Sequence, residues 1–115
     1  MRLPDTLRES VRRTLERYCE KKRVPPHVRD EVRLVVEIEG PRATIYEERA
    51  PWNGRGDWTR GGVARFRYLA KERLWTLYWR DRNGRWHFYE HARPAPTIDR
   101  LLAEVDRDPT GIFWG

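Results

Sequence analysis

The sequence predicts an α+β fold in which an N-terminal helix, a five-stranded antiparallel meander sheet and a C-terminal helix form one domain over residues 1–115. Three observations predict it. Apolar residues recur every three or four positions in the first and last segments, and they alternate with polar residues in the five segments between. Turn-forming glycines and prolines separate these segments. The length of 115 residues leaves room for a single domain.

The N-terminal helix is predicted from an apolar stripe at helical spacing, which consists of Leu3, Leu7, Val11, Leu15, Tyr18 and Cys19. Thr6 followed by Glu9 has the spacing of a capping box, which predicts that the helix begins there. Pro25 and Pro26 predict its end, because the residue before a proline disfavours helical backbone.

Residues 32–39 and 42–49 are predicted to form the first hairpin, with Gly40 supplying the positive φ of the turn. In this register Val36 faces Ile45, and Glu39 meets Arg42 as an opposite-charge pair. The same register places Glu47 on the apolar face. Residues 50–62, with four glycines and a proline, are predicted to form a loop.

Segments 63–69, 74–80 and 85–89 are predicted to be the remaining strands. Asn83-Gly84 predicts a two-residue turn, which pairs Tyr78 with Tyr89 and Arg80 with His87. Because side chains alternate along a strand, the segments divide into two faces. The predicted apolar face holds Ala64, Phe66, Tyr68, Trp75, Leu77, Trp79, Trp86 and Phe88. The opposite face holds Arg65, Arg67, Tyr78, Arg80, Arg82, Arg85, His87 and Tyr89.

The chain closes with a second predicted helix, capped by Thr97 and carrying apolar residues Ile98, Leu101, Leu102 and Val105. A turn is predicted at residues 108–111. The apolar residues 112–114 that follow are expected to pack onto the core.

Charge predicts the class of partner. The net charge of +6 favours a polyanion. The face that carries Arg65, Tyr78 and His87 combines guanidinium groups with aromatic rings, as sheets that bind single-stranded nucleic acid do. The sequence therefore predicts a small basic nucleic-acid-binding accessory protein. Two alternatives remain open: the Arg-rich composition is also what a GC-rich genome produces, and outward Arg and Tyr can be ordinary cross-strand pairs on a solvated face.

Two other function classes have weaker signals. Trp52 and Trp58 lie in the predicted loop, and aromatic residues are enriched at protein-binding hot spots, so a protein-interaction module is the second hypothesis. An enzyme centred on Glu47 is the third; it would need Asp81 or Glu90 close by to form a site with perturbed carboxylates.

Cofactors and membranes are not expected. His87 and His91 would lie about 13 Å apart on a strand, too far to share an ion, and the single Cys19 provides no multi-cysteine zinc site. No apolar run reaches the length of a membrane span, and the N-terminus lacks the apolar region of a signal peptide. We therefore expect a cytoplasmic protein without metal or cofactor.

Several segments resemble a family of short bacterial proteins that is described as a domain of unknown function. The resemblance is carried most clearly by Tyr-Trp-Arg-Asp-Arg-Asn-Gly-Arg-Trp-His-Phe-Tyr at residues 78–89 and Asp-Pro-Thr-Gly-Ile-Phe-Trp-Gly at residues 108–115. Where such relatives have Glu-x-Arg-Pro, this chain has one more residue before Pro51. The resemblance implies a complete stand-alone bacterial domain, and it implies no activity or ligand.

Overall fold

The computed structural model describes residues 2–22 and 31–115. Helix α1 spans Asp5–Lys21 and helix α2 spans Ile98–Arg107. Between them lie β1 (Val32–Glu39), β2 (Arg42–Arg49), β3 (Thr59–Leu69), β4 (Leu74–Arg80) and β5 (Trp86–Phe88). The strands form one antiparallel sheet in the order β1-β2-β3-β4-β5, which confirms the predicted α+β class and meander.

The core lies between the two helices and one face of the sheet. Helix α1 packs mainly against β1 and helix α2 against β4. The buried apolar residues on the helices are Val11, Leu15, Cys19, Ile98, Leu101, Leu102 and Val105. Those on the strands are Ala43, Ile45, Val63, Ala64, Phe66, Trp75 and Leu77. The predicted apolar stripes of both helices therefore face the predicted apolar face of the sheet.

The ends of the helices differ in part from the prediction. Helix α1 begins at Asp5, so Thr6 lies inside the first turn, and no side chain caps this helix. The predicted capping box is therefore wrong. The predicted end at Pro25 and Pro26 lies outside the described residues. Thr97 does occupy the N-cap position of α2, without a side-chain hydrogen bond.

Two of the predicted strand registers are confirmed. Val36 lies opposite Ile45 and Glu39 opposite Arg42 in the first hairpin, and Arg65 lies opposite Tyr78 between β3 and β4. Strand β3, however, begins at Thr59 rather than at residue 63. Gly61 and Gly62 pair with β2, and the pairing shifts by one residue between Ile45 and Tyr46, which leaves Val63 of β3 without a partner on β2.

The register between β4 and β5 differs from the prediction by one residue. Trp79 lies opposite His87, and Tyr78 lies opposite Phe88. The loop has three residues, because the backbone N–H of Asp81 donates to the carbonyl of Arg85 at 2.8 Å. A shift of one residue moves every β5 side chain to the other face. The predicted burial of Trp86 and Phe88 is therefore wrong, and Phe88 is 45% exposed.

The segment after α2 packs as predicted. The backbone N–H of Gly111 donates to the carbonyl of Asp108 at 3.0 Å, closing the turn. The Asp108 carboxylate then accepts from the N–H groups of Phe113 and Trp114 at 3.0 and 2.9 Å. These bonds hold Phe113 against the core, where it is buried.

Two tryptophans give a matched test of this core. Trp75 is fully buried and Trp52 is 96% exposed. We expect Trp75→Ala to lower the free energy of unfolding by about 3–5 kcal/mol, because it leaves a cavity in the core. Trp52→Ala should change it by less than about 0.5 kcal/mol, because the side chain makes no core contact. Urea unfolding measures both variants, and equal effects would contradict this core.

Candidate functional site

The face of the sheet opposite the helices carries mainly exposed and half-buried polar and aromatic side chains, and we call it the open face. Its strand residues alternate with those that enter the core. They are Arg33, Val35, Glu37, Glu39, Arg42, Thr44, Tyr46, Glu48, Arg60, Gly62, Arg65, Arg67, Thr76, Tyr78, Arg80, Trp86 and Phe88. The charges on this face divide it into two different halves.

On the half formed by β1 and the ends of β2 and β3, every arginine is paired with a carboxylate. Glu48, which is buried, accepts from Arg33 Nε at 2.7 Å and from Arg60 Nη2 at 2.6 Å. Arg60 Nη1 also donates to Glu37 at 2.5 Å. The Arg33 guanidinium lies 4.1 Å from the centre of the Trp58 ring. This half therefore forms a closed ion-pair network and offers little free positive charge.

The hydrogen bonds from Arg33 and Arg60 hold the pKa of Glu48 below its ordinary value of 4.5. Arg60 also contacts an aromatic ring, because its guanidinium lies 4.7 Å from the centre of the Tyr46 ring. Charge and stacking together fix the arginines of this half in place.

The other half contains a groove of about 380 Å³, which we call the arginine groove. It is lined by Pro41, Arg42, Arg65, Arg67, Tyr78 and Trp86. Among the residues that the structure describes, no carboxylate lies within ion-pair distance of Arg65, Arg67 or Arg80. Free guanidinium groups are therefore concentrated on this half.

Arg65 is positioned by neutral groups. Its Nε donates to the Thr44 hydroxyl at 3.0 Å and its Nη2 donates to the Tyr46 hydroxyl at 3.3 Å. Its guanidinium lies 4.3 Å from the centre of the Trp86 ring, which is a cation–π contact. These contacts orient the side chain and leave its charge uncompensated.

Arg42 and Arg67 lie directly opposite each other on β2 and β3. Like charges at directly paired positions destabilise a sheet. Among the described residues, Glu39 at 3.8 Å from Arg42 Nη2 offsets part of this charge. The pairing places two cationic side chains next to each other on neighbouring strands, an arrangement that we expect to be unfavourable for folding.

Gly62 explains how Trp86 fits on the open face. A Cβ atom at Gly62 would lie 2.5 Å from a ring carbon of Trp86 and 2.9 Å from Cδ of Arg80. Any side chain at this position would therefore displace the indole. The composition of residues 50–62 indicated a loop, whereas Gly62 serves as a close-contact position within β3.

Aromatic contact extends from the groove to the edge of the sheet. The rings of Tyr78 and Phe88 meet edge to face, with centres 5.9 Å apart. The sequence pattern predicts both Trp86 and Phe88 in the core. The signal that could have placed them is Asp81, because Asp81-Arg82-Asn83-Gly84 also fits an aspartate followed by a three-residue loop with glycine at the left-handed position.

The structure corrects the placement of two predicted site residues. Tyr89 is buried on the helix side, and its hydroxyl donates to Glu104 Oε2 at 2.7 Å. Burial and this bond raise the pKa of Tyr89. His87 also lies on the helix side, where its ring stacks on Trp79 with centres 4.7 Å apart. Neither side chain reaches the open face, because the loop has three residues and not two.

The loop itself is held by Asp81. Its carboxylate accepts from the backbone N–H groups of Asn83 and Arg85 at 2.8 and 3.0 Å and contacts His87 Nε2 at 2.7 Å. The bond to His87 and those to the backbone lower the pKa of Asp81 to about 2. Arg82 and Arg85, also predicted on the open face, are exposed at the loop and do not belong to a strand.

The other candidate residues lie apart from the arginine groove. Glu47 is half-buried, accepts from Arg49 Nε at 2.8 Å, and lines a pocket of about 230 Å³ together with Arg80. Asp81 does not line this pocket, because its carboxylate is engaged in the hairpin loop. Burial raises the pKa of Cys19 to about 11. No group of three or more His, Cys, Asp or Glu within residues 2–22 and 31–115 could hold a metal ion.

The family model described as a domain of unknown function, DUF3024, matches residues 3–115. The chain belongs to the DUF3024 family. The match includes both helices and all five strands, so this DUF3024 domain contains the whole open face. No curated protein and no solved structure significantly matches the chain. Within the described ranges, no helix is both long and apolar enough to cross a membrane.

Glu48 provides a test of the paired half. We expect Glu48→Gln to lower the free energy of unfolding by about 1.5 kcal/mol at neutral pH, the low end for hydrogen bonds to charged groups, because both arginines are partly exposed. Since folding lowers this pKa, the contribution is complete above pH 4.5 and is lost as the pH falls through the folded value. Urea unfolding of both proteins across this range measures the difference. A difference that stays constant in acid would contradict the ion-pair assignment.

Proposed function

We propose that this DUF3024 protein binds single-stranded nucleic acid on the open face, from the arginine groove to Phe88. The observation that carries the proposal is one half of an exposed sheet on which guanidinium groups without carboxylate partners lie beside accessible aromatic rings. Guanidinium groups bind phosphate oxygens through two parallel hydrogen bonds, and aromatic rings stack on bases. Binding a single strand in this way needs both guanidinium groups and aromatic rings, and this half of the sheet has both.

The geometry favours a single strand over a duplex. Strands β2 to β5 cover about 14 Å across the sheet, at about 4.8 Å between neighbouring strands. That width accommodates about two or three bases, as in other sheets that stack bases on aromatic side chains. Bases in a duplex are stacked on each other, and Tyr78 and Phe88 could not reach their faces.

The charge of the whole protein supports the same partner. A net charge of +6 attracts polyanions, and the arginine groove concentrates positive charge where the rings lie. We propose a cytoplasmic location, where such a partner occurs and where the single buried Cys19 would remain reduced.

A second candidate function, binding to another protein, rests on Trp52. Its side chain is 96% exposed, and large exposed aromatic residues are typical of protein-binding hot spots. Trp58, the other residue predicted for this role, is half-buried beneath Arg33 and supports it less. The open face has more groups that suit a single ligand than the loop that carries Trp52 has, so we favour nucleic-acid binding.

Salt dependence tests the proposal. Arg42, Arg65 and Arg67, which line the arginine groove, would contact about three phosphates, which implies a slope of about −2 in log affinity against log salt at about 0.7 per contact. We expect Arg67→Ala to reduce the magnitude of this slope by about 0.7. Arg17→Ala removes the same charge from the exposed side of α1 and should leave the slope unchanged. Fluorescence anisotropy with a single-stranded oligonucleotide measures both variants.

The same titration tests the contribution of the aromatic residues independently of the phosphate contacts. Phe88→Ala should weaken binding by about 1–3 kcal/mol and leave the salt slope unchanged, because stacking releases few counterions. Trp52→Ala, which removes an exposed aromatic side chain off the sheet, is the control and should bind like the wild type. If Arg17→Ala and Arg67→Ala behave alike, or if no binding occurs at about 50 mM salt, the open face is not a nucleic-acid surface.

A further inference from the structure

The arginine groove has properties that a general single-strand surface does not require. Three arginines, Arg42, Arg65 and Arg67, line this one groove together with Pro41, which lies between β1 and β2. A surface that tracks a continuous backbone would spread its cations along the strand. Here Arg42 and Arg67 lie directly opposite each other, and Arg65 is the next open-face residue on β3.

We infer that the arginine groove binds the terminal phosphate monoester of a nucleic-acid strand, with the adjoining nucleotide against Tyr78 and Trp86. This inference rests on the proposed function and deepens it, because it distinguishes the end of a strand from its interior. The shared chemistry is a phosphate monoester on a nucleoside, at either the 5′ or the 3′ end.

Charge matching supports a monoester. Arg42, Arg65 and Arg67 with the nearby carboxylate of Glu39 carry a net charge of +2. A phosphate monoester carries about −1.5 to −2 at neutral pH, whereas a phosphodiester within a strand carries one negative charge. A phosphodiester would leave about one positive charge uncompensated in this groove, and a monoester would neutralise it.

The groups in the groove are also prepared for an anion. Arg65 uses one N–H on Thr44 and one on Tyr46, so three of its five N–H groups remain available among its contacts to the described residues. The stack on Trp86 holds the guanidinium plane in place before any ligand arrives. The unfavourable Arg42–Arg67 pair would be relieved by an anion between the two side chains, so its cost in folding is regained on binding.

The size of the groove matches one nucleotide. Its volume of about 380 Å³ lies at the small end of the range for small-molecule sites, about 300–1,000 Å³. Its lining combines the two kinds of group that such a ligand needs: three guanidinium groups for the phosphate, and the rings of Tyr78 and Trp86 for the nucleoside.

The experiment compares three oligothymidylates of about 12 nucleotides, a length within the usual site sizes for single-strand binding. One carries a 5′-phosphate, one a 3′-phosphate and one hydroxyl groups at both ends, with an internal fluorophore in each. We expect one of the phosphorylated strands to bind about tenfold more tightly than the hydroxyl strand, a difference of about 1.4 kcal/mol. The preferred end identifies the polarity.

Two variants connect this preference to the groove. Arg67→Ala should remove the preference for a terminal phosphate, and Arg17→Ala should keep it. Arg67→Lys keeps the charge and loses the bidentate fork, so it should reduce the preference and retain the salt slope. Because Arg67→Ala also removes a like-charge pair, its urea midpoint should equal or exceed that of the wild type, which shows that the variant is folded.

The outcomes separate this inference from the proposed function. Equal affinity for all three strands, with the salt slope still dependent on Arg67, would overturn the terminal-phosphate inference and leave single-strand binding standing. Absence of binding to all three strands would overturn both. A preference that survives in Arg67→Ala would place the terminal phosphate elsewhere and would also overturn the inference.

Discussion

The Asp81 carboxylate closes the β4–β5 hairpin, and the composition of both faces of the sheet depends on it. By accepting from the N–H groups of Asn83 and Arg85 and binding His87, it stabilises a loop of three residues. Gly84 adopts a φ of +83° in this loop, a conformation that glycine takes without strain. A loop of two residues would exchange the two faces of β5. Tyr89 would then face solvent, and Trp86 would enter the core.

The consequences reach both sides of the sheet. On the helix side, Tyr89 enters the core and its hydroxyl bonds to Glu104, which connects β5 to α2. On the open face, Trp86 occupies the space that Gly62 leaves and provides the surface on which Arg65 stacks. The arginine groove therefore depends on the length of the β4–β5 loop, which lies about 20 residues after Arg65 in the sequence.

Much of the fold was predictable because several independent patterns agreed. In the first hairpin, apolar alternation and the Glu39–Arg42 pair indicate the same register, and the structure has it. The β4–β5 register was not predictable from the motif alone, since Asn83-Gly84 fits loops of two and of three residues. What decides between them is a set of side-chain contacts made only in the folded hairpin. Likewise, Gly62 indicates a loop in the sequence, and only the position of Trp86 shows why a glycine is needed in a strand. The predicted face of the sheet is therefore right for Arg65, Arg67, Tyr78 and Arg80, which lie on the open face, and wrong for His87 and Tyr89.

The two halves of the open face differ in how their charges are paired. Glu37 and Glu48 hold Arg33 and Arg60 on one half, whereas the other half keeps its arginines beside Tyr78, Trp86 and Phe88 without comparable partners among the described residues. Solubility alone would be served by mixed charges on both halves. The second half combines cationic and aromatic groups, which is the combination that the proposed nucleic-acid ligand would need.

The most direct measurement is a nuclear magnetic resonance titration of the labelled protein with a single-stranded oligonucleotide, in which the tryptophan indole N–H signals are followed. The six tryptophans include Trp86 on the open face, Trp75 in the core and Trp52 on the exposed loop. The account predicts that the Trp86 signal shifts with the oligonucleotide concentration, and that the Trp75 and Trp52 signals do not. A titration that shifts Trp52 and leaves Trp86 unchanged would contradict the assignment of the open face as the nucleic-acid surface.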